Sequence, residues 1–110
     1  MGGINHFLLP DGAPASPRFG DSAVPMLVTS VLEKGARRSE LRARVIGGAS
    51  VIEALRAAPL GRRNVEAARG RLQAERIPIV GEDVGGYVGR KLVFEVQTGK
   101  ALVRPIGTRA

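Results

Sequence analysis

The segment at residues 77–104 reads IPIVGEDVGGYVGRKLVFEVQTGKALVR, which is three apolar runs separated by two turns that contain glycine. Apolar, β-branched runs bounded by such turns are typical of β-strands, so we predict strands over residues 77–84, 91–97 and 101–104. The tight turn at residues 98–100 predicts that the last two strands form a hairpin. The C-terminal third of the chain is therefore predicted to be β-structure.

Two main helices are predicted before this segment. Over residues 21–34, apolar side chains recur at helical spacing, namely at Val24, Leu27, Val28, Val31 and Leu32. We expect Asp21 or Ser22 to cap the start of this helix and Gly35 to end it. The second main helix is predicted over residues 64–76, with three inward positions: Val65, Ala68 and Leu72.

Three further elements complete the expected order. A strand is predicted over residues 41–46, and residues 50–56 could form a short helix that Pro59 and Gly61 would end. A first strand is predicted over residues 4–9, where alternation places Ile4, His6 and Leu8 on one face and Asn5, Phe7 and Leu9 on the other.

The element order predicts the fold class. Strand, helix, strand, helix and three strands are typical of an α/β (α+β) layered sandwich, with a mixed sheet flanked by two main helices. A chain of 110 residues is the length of one domain, so we expect a single domain over residues 1–110.

Composition excludes several classes of site. The chain has no cysteine and one histidine, which rules out a disulfide or thiol nucleophile within it and argues against zinc, so we expect neither metal nor other cofactor. No apolar stretch approaches the ~20 residues of a membrane span, and no signal peptide is evident, so we expect a cytoplasmic protein without membrane insertion.

The net charge of +7 suggests an acidic partner. The excess is mostly arginine, 14 Arg against 3 Lys, spread along the chain without a dense run, and aromatic residues are only 4% of the sequence. Because a base-stacking platform needs aromatic side chains, we favour an acidic protein surface over nucleic acid as the partner.

Two stretches could carry chemistry. Residues 82–91, EDVGGYVGRK, are rich in glycine, but Lys91 begins a strand rather than a helix, so turn glycines are favoured over a phosphate-binding loop. Glu82 and Asp83 are adjacent and should point to opposite faces, as solvated or hydrogen-bonded turn groups. His6 lies among apolar residues and could be either a packed structural residue or a general base.

The chain as a whole resembles the CheD family of chemoreceptor glutamine deamidases. Six motifs in the family's order carry the resemblance: GGINHFLLP at 2–10, RFGD at 18–21, VIGGA at 45–49, GRRNV at 61–65, IPIVGEDVGGYVGRK at 77–91 and TGK at 98–100. The fourth has Leu60 where the family has isoleucine. Together they cover essentially the whole chain.

The resemblance implies an activity and one residue that performs it. In the family, a cysteine thiolate attacks a receptor glutamine side-chain amide, and a histidine accepts the thiol proton and returns one to the departing ammonia. That histidine corresponds to His6, which we expect on a half-buried strand face. The family's cysteine and a helper threonine lie on strands upstream of the histidine, and only residues 1–5 precede His6 here.

Two functional hypotheses follow from the resemblance. The chain is either an N-terminally incomplete deamidase domain that is inactive without its nucleophile, or a non-catalytic module that binds receptors. The resemblance implies methyl-accepting chemoreceptors as partners, together with a CheC-type phosphatase.

Overall fold

The computed structural model describes residues 1–51 and 60–107. Its two α-helices are α1 (Gly20–Glu33) and α2 (Leu60–Ala74), and a short 3-10 helix spans Arg38–Glu40. Its four strands are β1 (Ala43–Gly47), β2 (Ile79–Val84), β3 (Arg90–Glu95) and β4 (Lys100–Pro105). The predicted short helix at residues 50–56 lies largely outside the described residues. Neither described helix is long and apolar enough to cross a membrane.

The predicted α/β class is confirmed, and the described strands divide between two sheets. β1 pairs with β2 in parallel, and β3 pairs with β4 in the expected antiparallel hairpin. Parallel and antiparallel pairing are therefore both present, but not within one continuous sheet. The turn between β2 and β3 contains Gly85 and Gly86 at positive φ, so these residues are turn glycines as predicted.

The side chain of Arg90 joins the two sheets. Its Nε donates to Oδ1 of Asp83 at 2.9 Å, and one terminal nitrogen donates to the carbonyl of Gly47 at 3.3 Å. Only 15% of the Arg90 side chain is exposed. The Asp83 side chain is 53% exposed, so the ion pair itself is open to water, and the partly buried bond to the Gly47 carbonyl is the more protected of the two contacts.

The core is small and aliphatic. Its buried side chains come from α1, α2, β1 and the connection between α2 and β2, namely Ala23, Val24, Val28, Val45, Val65, Ala68, Leu72 and Ile77. The three inward positions predicted for α2 are all in this set. α2 therefore packs between α1 and the parallel sheet, while β3 and β4 contribute no residue to the buried set.

Helix boundaries depart from the sequence prediction in two places. α1 begins after Phe19, which makes no side-chain cap hydrogen bond, so the expected cap by Asp21 or Ser22 is wrong. The backbone N–H of Gly20 instead bonds the carbonyl of Leu9 at 2.8 Å. At the other end, Gly35 has φ +105°, consistent with its expected role of ending the helix.

α2 begins four residues earlier than predicted, and Gly61 lies inside it rather than ending a preceding element. A Cβ at Gly61 would collide with the backbone carbonyl of Gly48, just after β1. The glycine therefore permits close approach of the helix to the strand end. Its presence reflects tertiary packing, which local propensity does not reveal.

We predict that Gly61→Ala destabilises the fold by about 1–3 kcal/mol, because the added methyl group forces α2 away from Gly48. Gly70→Ala is the matched control in the same helix, since nothing lies within 4 Å of a Cβ built there. That change should stabilise by roughly 0.5–1 kcal/mol through helix propensity. Urea unfolding of both variants measures the contrast, and equal stabilisation by both would contradict the close approach.

An ion pair fastens the exposed face of α2 to β2. Arg69 donates from Nε and a terminal nitrogen to the two carboxylate oxygens of Glu82, at 2.8 and 2.6 Å. These hydrogen bonds, with the guanidinium charge, lower the pKa of Glu82 from its ordinary value of 4.5. They also raise the pKa of Arg69. A carboxylate whose pKa is lower in the folded state stabilises the fold above its unfolded pKa.

We predict that this contribution is complete above the ordinary Glu82 pKa of 4.5 and is lost as the pH falls through the lower, folded value. Thermal unfolding of Glu82→Gln should therefore depend less on pH in the acid range than that of the unchanged chain. Arg69→Met should flatten the profile in the same way. Unchanged acid sensitivity in both variants would show that the pair contributes nothing.

Candidate active site around His6

The segment that holds His6 is not a strand, contrary to the sequence prediction. Residues 1–7 have no regular structure, and among the described residues the segment's only β contact is an isolated bridge between Leu9 and Phe19. The face expected to be half-buried is also exposed. His6 is exposed, Ile4 is 56% exposed and Leu8 is 62% exposed.

The predicted alternation is nevertheless present in the burial of residues 4–8, although it fails at Leu9, which is exposed. Asn5 and Phe7 point toward the protein, and Phe7 packs against the core cluster, while their neighbours point outward. No described strand lies beside residues 4–8 to cover the outer side and complete a hydrogen-bond ladder. An extended conformation without a ladder partner is the physical reason that the strand prediction is wrong here.

Loop and helix groups hold the segment in place of a neighbouring strand. The backbone N–H groups of Leu8 and Leu9 both donate to the carbonyl of Arg18 at 3.1 Å. Asn5 donates from Nδ2 to the carbonyl of Ala23 in α1 at 3.0 Å. Asn64 donates from Nδ2 to the carbonyl of Leu8 at 3.1 Å.

These bonds place His6 between anchored neighbours. Its own imidazole makes no hydrogen bond or ion pair with any other described residue. The backbone that carries it is fixed on one side by Asn5 and on the other by Leu8. The site therefore presents an accessible imidazole on a held backbone, which is a geometry that a general base can use once a proton donor is placed beside it.

Sequence reasoning did not identify Asn5 or Asn64 as part of this site. The available signal was weak, because Asn5 in its apolar run and Asn64 after two arginines are both equally typical of solvent-exposed positions. Asn64 is 56 residues from Leu8 in the chain, so their contact depends on how α2 docks.

His6 borders a cavity of about 1100 Å³ that extends between the two sheets. The remaining walls come from residues 1–8, the apolar face of α1, β1 and its continuation, α2 and the inner face of the hairpin. Side chains that represent these walls are Leu27, Val31, Val45, Leu92, Phe94 and Ala101. The walls are predominantly apolar, so the space is suited to polypeptide or other apolar matter rather than to bulk water.

The acidic pair lies away from any general acid-base arrangement. Glu82 and Asp83 belong to strand β2 rather than to a turn, and the predicted divergence of their side chains is confirmed by their separate partners. Glu82 binds Arg69 and Asp83 binds Arg90. Both carboxylates therefore hold the fold together, consistent with the hydrogen-bonded role expected for them.

Comparisons with known proteins agree with the resemblance. The model of a family described as CheD chemotactic sensory transduction matches residues 8–105. A protein of Anaeromyxobacter dehalogenans, named "Probable chemoreceptor glutamine deamidase CheD 1", is 52% identical over 109 residues, covering 96% of this chain and 64% of that protein. Proteins named "Probable chemoreceptor glutamine deamidase CheD" from Stenotrophomonas maltophilia and Xanthomonas campestris pv. campestris are each 45% identical, covering 94% of this chain and 54% of those proteins.

The chain thus spans between half and two thirds of the length of these relatives. The family match begins two residues after His6, so it includes the anchoring residues Leu8 and Asn64 but not the imidazole itself. Identity near one half over almost the entire chain, together with a family match over residues 8–105, is decisive for ancestry. The chain belongs to the CheD family.

Proposed function

We propose that this chain is the larger part of a chemoreceptor glutamine deamidase in which His6 is the general base. The observation that carries the proposal is the position of His6, which is held by its neighbours at the border of the large apolar cavity. The relatives' printed name supports the same activity. Methyl-accepting chemoreceptors are the proposed substrates, and the cytoplasm is the proposed location.

The proposed reaction needs a nucleophile that these 110 residues lack, since they include no cysteine. We place a cysteine on a strand of the remaining family length, seated in the cavity beside the exposed face of Ile4, His6 and Leu8. The thiol proton passes to His6, the thiolate attacks the glutamine amide carbonyl, and His6 returns a proton to the leaving ammonia. Water then hydrolyses the thioester, which gives glutamate and restores the thiol.

The second candidate is a non-catalytic module that binds receptors or a CheC-type phosphatase. The absence of cysteine favours it, as does the net charge of +7, which suits an acidic protein surface. The two candidates differ in whether a cysteine-bearing strand completes the domain.

We predict that the 110-residue chain alone does not deamidate receptor glutamine, because His6 has no thiol from which to accept a proton. The purified chain is incubated with a receptor cytoplasmic fragment, and conversion of Gln to Glu is followed by its mass increase of about 1 Da per site. Turnover above that of buffer alone would contradict the requirement for a separate nucleophile.

We predict that the reading frame continues upstream of Met1 and encodes a Gly-Ser-Cys strand. The protein expressed from the extended frame should deamidate receptor glutamines, and His6→Ala should reduce its rate roughly 100-fold, the scale of losing a general base. If His6 only packs, His6→Ala would instead cost about 1 kcal/mol of stability and leave the rate per folded molecule unchanged.

The DNA sequence decides between the two candidates. An in-frame stop codon upstream of Met1, with no cysteine codon between them, would leave the binding module as the function. Binding would then be measured directly with the same receptor fragment, at two salt concentrations, because attraction between a basic and an acidic surface weakens with salt.

A further inference from the structure

Asn64 makes a hydrogen bond to the segment that holds His6, and the oxygen of its side-chain amide is buried without a partner among the described residues. Its Nδ2 donates to the carbonyl of Leu8 at 3.1 Å. Because a carbonyl can only accept, this contact fixes which end of the side-chain amide faces Leu8. The other end, Oδ1, is buried and has no hydrogen-bond partner among the described residues.

A buried acceptor without a partner destabilises a fold, since its hydration is lost and not replaced. Leucine branches at Cγ as asparagine does and would remove that penalty at this position, and Asn64 borders the cavity, which leaves space for leucine's larger methyl groups. Helix propensity also favours leucine over asparagine inside α2. The asparagine thus lowers the stability of α2, and the bond to Leu8 is the contact that leucine could not make.

The bond from Asn64 is the one hydrogen bond, among those given above, that links α2 to the segment holding His6. The N–H of Leu8 is bound by Arg18, so Asn64 completes the binding of both backbone polar groups of this residue. Leu8 is 62% exposed, so water can replace Asn64 at its carbonyl at little energetic cost. Loss of the bond therefore releases the segment without leaving a buried group unsatisfied.

The fixed position of α2 gives the hydrogen bond from Asn64 to Leu8 a defined direction. Val65, the next residue, is buried in the core, and Gly61 lies against Gly48 at the end of β1. Asn64 thus projects from a part of the helix that is fixed on two sides. Through this bond, the packing of α2 against β1 fixes the backbone of Leu8, two residues from His6.

We propose that Asn64 is a positioning residue for His6, retained at a cost in stability because it sets the place of the general base. This inference rests on the proposed deamidase function. A positioning role predicts that stability and activity move in opposite directions when the amide is removed. A purely structural role predicts that both decrease together.

Asn64→Leu is the informative change, and Arg62→Leu is its control, because it places the same side chain at an exposed position of the same helix. In the 110-residue chain, amide hydrogen exchange of Leu8 and Leu9 should become about tenfold faster in Asn64→Leu, with exchange in the α2 core unchanged. The thermal midpoint should stay level or rise. Arg62→Leu should change none of these quantities.

The extended protein supplies the kinetic test. Asn64→Leu should lower kcat about tenfold with KM within about twofold, because the substrate still binds while the base is misplaced. Arg62→Leu should leave kcat unchanged. Wild-type kcat in Asn64→Leu, in a protein that His6→Ala inactivates, would overturn the positioning role and leave the deamidase function intact.

The exchange measurement separates the two proposals. If the extended protein has no deamidase activity, the proposed function fails, and faster exchange at Leu8 still shows that Asn64 holds the segment. Unchanged exchange at Leu8 and Leu9, or α2 amides that are unprotected in the parent chain, would overturn the inference whatever the activity.

Discussion

The close approach of α2 to the end of β1 is the constraint on which the rest of the structure depends. Gly61 and Gly48 meet backbone to backbone, with no room for a side chain on the helix. This contact sets the height of α2 above the parallel sheet, and the burial of Val65, Ala68 and Leu72 then sets its rotation. Once both are set, Asn64 reaches Leu8 and Arg69 reaches Glu82 without further adjustment.

The elements that could be predicted from the sequence are those whose patterns are local. The apolar spacing of Val24 and Val28 predicts α1, and the apolar runs on either side of the turn at residues 98–100 predict the hairpin, because both signals lie within the element that they predict. The start of α2 was predicted four residues too late because it depends on a contact with a distant part of the chain. Gly61 has the local signature of a helix breaker, and its actual role depends on a strand end 13 residues away in the sequence.

The role of His6 stays a prediction, and the surroundings of this residue could not be predicted from the sequence. His6 was selected by resemblance, and alternation correctly separated its outward face from that of Asn5 and Phe7. Its burial could not be predicted because burial depends on what covers the segment. In the described residues, the covering strand that the pattern implies is not present, so Ile4 and Leu8 lie exposed beside the imidazole.

The exposed residues Ile4, His6 and Leu8 also line the cavity, so a segment that filled the cavity would cover them. The space of about 1100 Å³ is partly open to solvent and its walls are mostly apolar, so further apolar side chains would pack there in preference to water. The inner faces of β1 and of the hairpin have side chains suited to contact with another layer, yet Arg90 is the main side-chain link between these sheets. The strand proposed for the cavity would bury Ile4 and Leu8 and pair with their backbone. The same strand would withdraw His6 from bulk water, which is where a general base has most effect on a neighbouring thiol. The proposed strand would thus serve the packing of this segment and the proposed chemistry at the same place, which is the physical argument for proposing a nucleophile beside His6.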